Sequence, residues 1–154
     1  MPLAQEVIDV CRQHLSRTNS FATEVEAFLV QYLLVVICGE YEQTIESFIE
    51  QRAERAGDDH LTSFVKAATG ARFRNPKTSD ISGLLGWFSS DLKESFSERI
   101  RDTPAQRAFD TIVANRHAVA HRGGNLQLTF TELCDRFEES KLVLAEVKAI
   151  LGIA

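Results

Sequence analysis

The chain has 154 residues, a formal net charge of −5 and 44% hydrophobic residues, a balance typical of one folded globular domain. An acidic chain with a pI near 5.4 lacks the basic surface of proteins that coat nucleic acid broadly, although a local basic patch can still attract phosphate. Its three cysteines are odd in number and show no Cys-x-x-Cys spacing, so the sequence does not resemble a disulfide framework or a zinc cluster. We therefore predict a single domain over residues 1–154, with no metal site and no cofactor.

The sequence has no feature of a targeted or membrane-spanning protein. Residues 1–17 carry charges throughout and contain no uninterrupted apolar segment, so no signal peptide is predicted. The longest apolar stretch, Leu33–Cys38, is far shorter than the roughly 20 residues that cross a bilayer. The expected location is the cytoplasm.

Apolar residues recur at helical spacing along most of the chain, and no segment keeps the alternation of a strand for long. Thr23 with Glu26, and Thr129 with Glu132, have the spacing of capping boxes at the starts of two helices. Asp80 is a candidate N-cap for a helix whose apolar stripe continues to Ile100. The predicted helices cover about residues 3–16, 23–55, 60–68, 80–100, 104–122 and 129–151. We expect an all-α fold, an antiparallel bundle of five to six helices.

The residues that carry candidate chemistry are Arg116 and His121. Arg116 follows Ile112 by four positions and Val113 by three, which places it on the buried stripe of its helix. A buried arginine needs a partner or a ligand, and its guanidinium can hold a phosphate through two hydrogen bonds. His121 lies about 140° further around an ideal helix. Either the last turn unwinds before Gly123-Gly124, or the two groups meet a second copy across a symmetric interface.

Arginine and histidine together suit RNA cleavage by transesterification. A neutral histidine, with an ordinary pKa of about 6.5, can take the proton from a ribose 2′-OH. The arginine stabilises the charge that builds on the phosphoryl oxygens, and this chemistry needs no metal. Spacing alone favours a plainer reading, in which both are cationic residues that stabilise the C-terminal end of a helix dipole.

The sequence around this pair resembles a known family. Arg116-His117-Ala118-Val119-Ala120-His121 matches the Arg-to-His motif of HEPN domains, with four residues between the arginine and the histidine. Asn75-Pro76, the segment from Ile81 to Phe88 and the segment from Asp110 to His121 are similar to the RiboL-PSP-HEPN branch. The resemblance extends over about residues 25–151.

The resemblance implies an all-α domain that forms a homodimer, in which facing motif helices create a composite RNA cleft. Many HEPN domains are metal-independent ribonucleases that act as toxins or in phage defence, which implies an RNA substrate and, for a toxin, an antitoxin protein. The catalytic residues of the motif carry over to Arg116 and His121, with Asn115 and His117 assisting binding. Many members have Asn directly after the arginine, and His117 at that position leaves its role open.

The resemblance leaves three functions open. The first is a dimeric HEPN endoribonuclease. The second is a non-catalytic HEPN module that binds a protein partner, a nucleotide or RNA, and the acidic net charge and His117 favour it. The third is a helical bundle that uses the motif only for dimer contacts.

Glu40 is a candidate supporting residue because it lies within the apolar arc of the second helix, beside Val36 and Ile37. An acidic group in such an arc suggests a partner. It would be either an orienting carboxylate that fixes Arg116, or a structural ion pair or an exposed glutamate.

The most basic stretch of the chain runs from Arg72 to Lys77. Arg72, Arg74 and Lys77 surround Phe73, an arrangement that can hold backbone phosphate and stack a base. The alternative is a solvated loop with Phe73 in the core. Arg122, directly after His121, would add to phosphate affinity.

Overall fold

The computed structural model describes residues 2–72, 74–122 and 128–153, except for the side chains of residues 71, 72, 121 and 122. Every regular element in these ranges is a helix, which confirms the all-α prediction. The helices in chain order are α1 (Pro2–Thr18), α2 (Glu24–Glu54), α3 (Asp59–Arg72), α4 (Thr78–Phe88), α5 (Ser90–Ile100), α6 (Pro104–Arg122) and α7 (Phe130–Ile150).

The predicted count of five to six helices is wrong, because the stretch 80–100 forms two helices rather than one. Ser89 separates α4 from α5 with an extended backbone, φ −167° and ψ 144°. Its hydroxyl accepts the N–H of Asp91 at 3.0 Å, the hydrogen bond by which serine caps a helix start. Ile81 and Phe96 are both fully buried, so the apolar stripe continues across the break and hides it in the sequence.

The core is built around α2, which packs against α1, α3, α6 and α7. Tyr41 of α2 is fully buried and stacks on Phe109 of α6, with 4.3 Å between the ring centroids. The Tyr41 hydroxyl shares a 2.5 Å hydrogen bond with the Ser140 hydroxyl of α7. Burial raises the pKa of Tyr41, so the phenol is neutral. One side chain thus joins three helices and keeps its buried polar group satisfied.

Glu26 is buried, and its carboxylate caps a different helix from the one predicted. Thr23 makes no side-chain bond to the first turn of α2, so the box expected between Thr23 and Glu26 is wrong. The Glu26 carboxylate instead accepts the N–H of Ala22 at 2.5 Å and the N–H of Phe130, the first residue of α7, at 2.7 Å. Negative charge at a helix N-terminus is favourable, so Glu26 fixes α7 against the start of α2.

The structure confirms one of the other predicted helix starts and shifts the second. Thr129 accepts the N–H of Glu132 at 3.2 Å, and the Glu132 carboxylate accepts the N–H of Thr129 at 2.9 Å, which completes the predicted capping box of α7. Asp80 is not the N-cap of α4. That helix begins at Thr78. The Asp80 carboxylate accepts the N–H of Lys77, the residue before Thr78, at 2.8 Å.

The first half of α2 has an exposed apolar face besides its buried one. Val25, Phe28, Tyr32 and Val35 follow one another at helical spacing, and between 42% and 68% of each is exposed. We call these four residues the α2 stripe. None of the described helices is long and apolar enough to span a membrane.

Candidate active site

The motif lies on α6, which changes character along its length. The first half is buried through Phe109, Ile112 and Val113, whereas Arg116 is half-buried. The helix continues through residue 122, so its backbone does not unwind between Arg116 and His121. The unwound-turn alternative is therefore wrong, and the two positions keep their separation of about 140° around the helix.

Arg116 lies within electrostatic range of Cys38 on α2. This thiol is 1% exposed, and burial raises its pKa to about 12, while the positive charge of Arg116 acts in the opposite direction. Because that effect is electrostatic, the guanidinium must lie within range of the thiol. Cys38 stays protonated at neutral pH, so it places an uncharged group, not a counter-ion, next to the arginine.

The two neighbours of Arg116 in sequence are also half-buried. The Asn115 amide nitrogen donates to the carbonyl oxygen of Thr111 at 2.8 Å, one turn earlier in α6. This bond orients the amide and leaves its oxygen available as an acceptor. His117 follows Arg116 directly, at the position where many HEPN domains have asparagine. The binding roles predicted for both residues stay predictions.

Several predicted site residues lie outside the described side chains. His121 and Arg122 form the last turn of α6, and Arg72 forms the end of α3, but only their backbones are described. Phe73, the predicted stacking residue, lies outside the described residues altogether. The catalytic role of His121 and the RNA contacts of Arg72 and Arg122 therefore stay predictions.

Glu40 caps the first helix of the chain. It is 7% exposed, and its carboxylate accepts the N–H of Leu3 at 3.2 Å and the N–H of Ala4 at 2.8 Å. Positions 38 and 40 are about 200° apart around an ideal helix, so Glu40 faces α1 while Cys38 faces α6. Glu40 thus has a structural role at the start of α1, and its pairing with Arg116 stays a prediction.

The basic connector after α3 lies beside a row of acidic residues on α2. Burial raises the pKa of Glu46, and repulsion from Glu42 and Glu50 adds to this effect. The positive charges of Arg74 and Lys66 oppose it. Arg74 therefore balances the charge of α2, an intramolecular role that the sequence pattern did not indicate.

The same connector is fixed close to the motif. The Glu42 carboxylate, one turn after Cys38 in α2, accepts the N–H of Asn75 at 2.5 Å. Arg74 and Lys77, on either side of this anchored segment, are exposed and accessible to a phosphate. Their contact with RNA stays a prediction.

Asp110 is a positioning residue that the sequence analysis did not single out. Its carboxylate accepts the N–H and the hydroxyl of Thr78, each at 2.8 Å, and so holds the start of α4 against α6. The signal was present in the sequence, since Asp110 directly follows the core residue Phe109 and lies six positions before Arg116. A carboxylate so close to the core requires a hydrogen-bonding partner.

Within the motif, Arg116 is a permanent cation flanked by Asn115 and His117, an arrangement suited to binding a phosphate. Across residues 2–70, 74–120 and 128–153, no three His, Cys, Asp or Glu side chains are grouped so that they could hold a metal ion. The expectation that no cofactor is required stays a prediction.

The comparisons with known proteins give one match. A family model described as RiboL-PSP-HEPN matches residues 5–152. Neither the curated proteins nor the solved structures gave a significant match. The matched range begins earlier than the resembling residues 25–151, and it includes α6 with its complete motif. The fold is all-helical, α6 carries the motif and the family model matches nearly the whole length. The chain therefore belongs to the RiboL-PSP-HEPN family.

Proposed function

We propose that this HEPN domain is a metal-independent endoribonuclease that cleaves RNA by attack of a ribose 2′-OH on the adjacent phosphodiester. The observation that carries the proposal is the setting of Arg116. Arg116 is a half-buried cation within electrostatic range of Cys38, whose thiol stays protonated, and Asn115 and His117 flank it on α6. The guanidinium of an arginine in this setting can hold a phosphate through two hydrogen bonds.

In the proposed reaction, His121 in its neutral form takes the proton of the 2′-OH. The 2′-oxygen then bonds to phosphorus while the bond from phosphorus to the 5′-oxygen breaks, which leaves a 2′,3′-cyclic phosphate. The departing 5′-oxygen receives a proton from a protonated histidine. Arg116 stabilises the negative charge on the non-bridging oxygens, and Asn115 and His117 assist in holding the substrate.

The proposed site is composed of two copies of the chain. Because α6 is helical through residue 122, positions 116 and 121 of one helix point about 140° apart, and a facing α6 would supply the complementary group. Two histidines, one from each copy, would then serve as base and acid.

The α2 stripe supports this homodimer. Its last member, Val35, is a helical neighbour of Cys38, and Cys38 lies beside Arg116. Phe28 is 68% exposed and Tyr32 is 56% exposed, so a second copy that covers the stripe would bury large apolar side chains. The same contact would bring the two motif helices together.

The physiological role that we attach to this activity is that of a toxin or a phage-defence effector, with an antitoxin protein as a possible partner. This part of the proposal is supported by family membership alone. It adds no requirement to the chemistry of Arg116 and His121.

The test is RNA cleavage by the purified protein in EDTA, with wild type compared with Arg116→Ala and His121→Ala. Each substitution is expected to lower the rate by about 100-fold or more, since a positioned base or charge-stabilising donor contributes on that scale. Arg107→Ala is the matched control, because Arg107 is an exposed arginine on the same helix. Full cleavage by His121→Ala would contradict the assignment of the base.

The alternative is a non-catalytic HEPN module that binds a protein partner, a nucleotide or RNA. The net charge of −5 favours it, since electrostatic attraction for RNA is weak in an acidic protein. It predicts that wild type leaves tRNA, rRNA and mRNA uncut while Arg116→Ala weakens the binding of a labelled RNA or nucleotide.

A further inference from the structure

A pocket of about 520 Å³ lies between the last turns of α2, the helix α3 and the helix α4. Its floor consists of Ile49, Ala53 and Leu84, all of which are buried. Ala56 and Ala68 also line it, and their small side chains leave the space open. Among the described side chains, Asn115, Arg116 and His117 do not line it, so the pocket is separate from this part of the proposed cleavage site.

The rim of the pocket is apolar and accessible. Phe64 is 69% exposed, Trp87 is 63% exposed, and Leu61 and Phe88 are also exposed. Large apolar side chains gathered around one concavity mark a binding site more often than scattered ones do. The rim can therefore close on the apolar part of a ligand.

The charges at the pocket are of one sign. The described residues that line it include two charged side chains, Arg52 and Arg55, in a protein with a net charge of −5. Arg55 donates a hydrogen bond to the carbonyl oxygen of Gly152, which fixes the position of its guanidinium. A guanidinium has five N–H donors, so this bond leaves others for an anion.

We propose that this pocket binds a small amphipathic anion, with a medium-length acyl chain in the apolar pocket and a carboxylate against Arg52 and Arg55. The volume lies within the roughly 300–1,000 Å³ that is usual for small-molecule sites. The concave shape favours a chain or ring over a second protein, which needs a broader surface of about 1,000 Å² or more. The two arginines select the charge of the head group.

Trp87 is the chain's single tryptophan, so its fluorescence reports directly on the pocket. The experiment is a titration with decanoate below its micelle concentration, with decan-1-ol as the uncharged probe. We expect a saturable change in Trp87 emission with decanoate. Decan-1-ol should bind about tenfold more weakly or worse, because it cannot form hydrogen bonds between a carboxylate and the arginines.

Two variants inside the pocket and one control outside it test where decanoate binds. Arg52→Gln is expected to weaken decanoate binding about tenfold and to leave the affinity for decan-1-ol unchanged. Arg101→Gln is the control, because Arg101 is an exposed arginine outside the pocket, and it should change neither affinity. Ala68→Leu fills the space and is expected to weaken both ligands, with helix content and thermal unfolding measured to show that the variant is folded.

Three results would overturn the proposal. Equal binding of decanoate and decan-1-ol would show that charge is not recognised, and a response that rises without saturation would show partitioning only. Trp87 emission that depends on protein concentration without ligand would assign the pocket to a second copy. Because the readout is binding, RNA cleavage can fail while this proposal holds, and the reverse is also possible.

Discussion

The two halves of α6 differ in that the first half packs in the core and the second half carries the proposed site. The first half is a core helix whose Phe109 stacks on Tyr41 and whose Asp110 holds the start of α4. The second half contains Arg116, half-buried beside the neutral thiol of Cys38. The first half thus fixes the helix, and the second half presents the cation that we propose to bind phosphate.

Substitutions in the two halves of α6 should therefore affect different properties of the protein. Changes in the first half should lower the free energy of unfolding. Changes in the second half should lower RNA cleavage and leave the unfolding free energy almost unaltered.

The largest expected effect on stability is that of Phe109→Ala. Removing a fully buried ring deletes its stack on Tyr41 and leaves a cavity, so the free energy of unfolding should fall by about 3–5 kcal/mol. Urea unfolding followed by circular dichroism measures it. A loss below about 1 kcal/mol would mean that the first half of α6 does not carry the core.

Arg116→Lys keeps the charge in the second half and removes the planar fork. If two hydrogen bonds to phosphate matter, cleavage should fall about tenfold or more, while the free energy of unfolding changes by less than about 1 kcal/mol. Single-turnover cleavage and urea unfolding measure the two quantities on the same preparation. Full activity would show that charge alone is sufficient.

Tyr41→Phe tests the polar bond at the centre of the core. It removes the hydroxyl that bonds to Ser140, and the free energy of unfolding should fall by about 1 kcal/mol. Ser140→Ala also removes the bond that the serine donates to the carbonyl oxygen of Phe137, so it should cost more. A double-mutant cycle isolates the shared bond, and a coupling energy near zero would show that this bond does not stabilise the core.

The smallest expected effect is at Glu46. Burial and its acidic neighbours raise its pKa above the ordinary 4.5, so the folded state holds this proton more tightly than the unfolded state does. Stability therefore falls as pH rises from 4.5 through the folded-state pKa, and it is constant above that pH. Glu46→Gln should raise the thermal midpoint at neutral pH, and the gain should disappear below the ordinary pKa. A gain that persists in acid would contradict the electrostatic cause.

How far the sequence predicts this molecule depends on the kind of interaction. Periodicity and capping residues correctly predicted the all-α fold and the capping box of Thr129 and Glu132, because both are local. The break at Ser89 was missed since the apolar stripe continues across it. The partners of Glu26 and Glu40 were missed because these carboxylates cap other helices, in one case 104 residues away.

The candidate site shows the same limit. The spacing of Arg116 and His121 alone favoured a plainer reading, and the resemblance of the surrounding segments indicated the family, which the match over residues 5–152 confirms. The neutral thiol beside Arg116 and the bond from Asp110 to Thr78 could not be predicted, because they depend on how α6 lies against α2 and α4. Sequence therefore gives the reactive residue types, and packing decides their electrostatic setting.

The most direct measurement of the central claim is the chemistry of the cleaved ends. An RNA cut in EDTA should yield a 2′,3′-cyclic phosphate and a 5′-hydroxyl, and the same RNA with a 2′-deoxyribose at the cleaved position should stay intact. Both results are predicted by attack of the 2′-OH with Arg116 and His121 as the catalytic pair. Cleavage of the deoxy-substituted RNA, or products with a 5′-phosphate, would contradict the account.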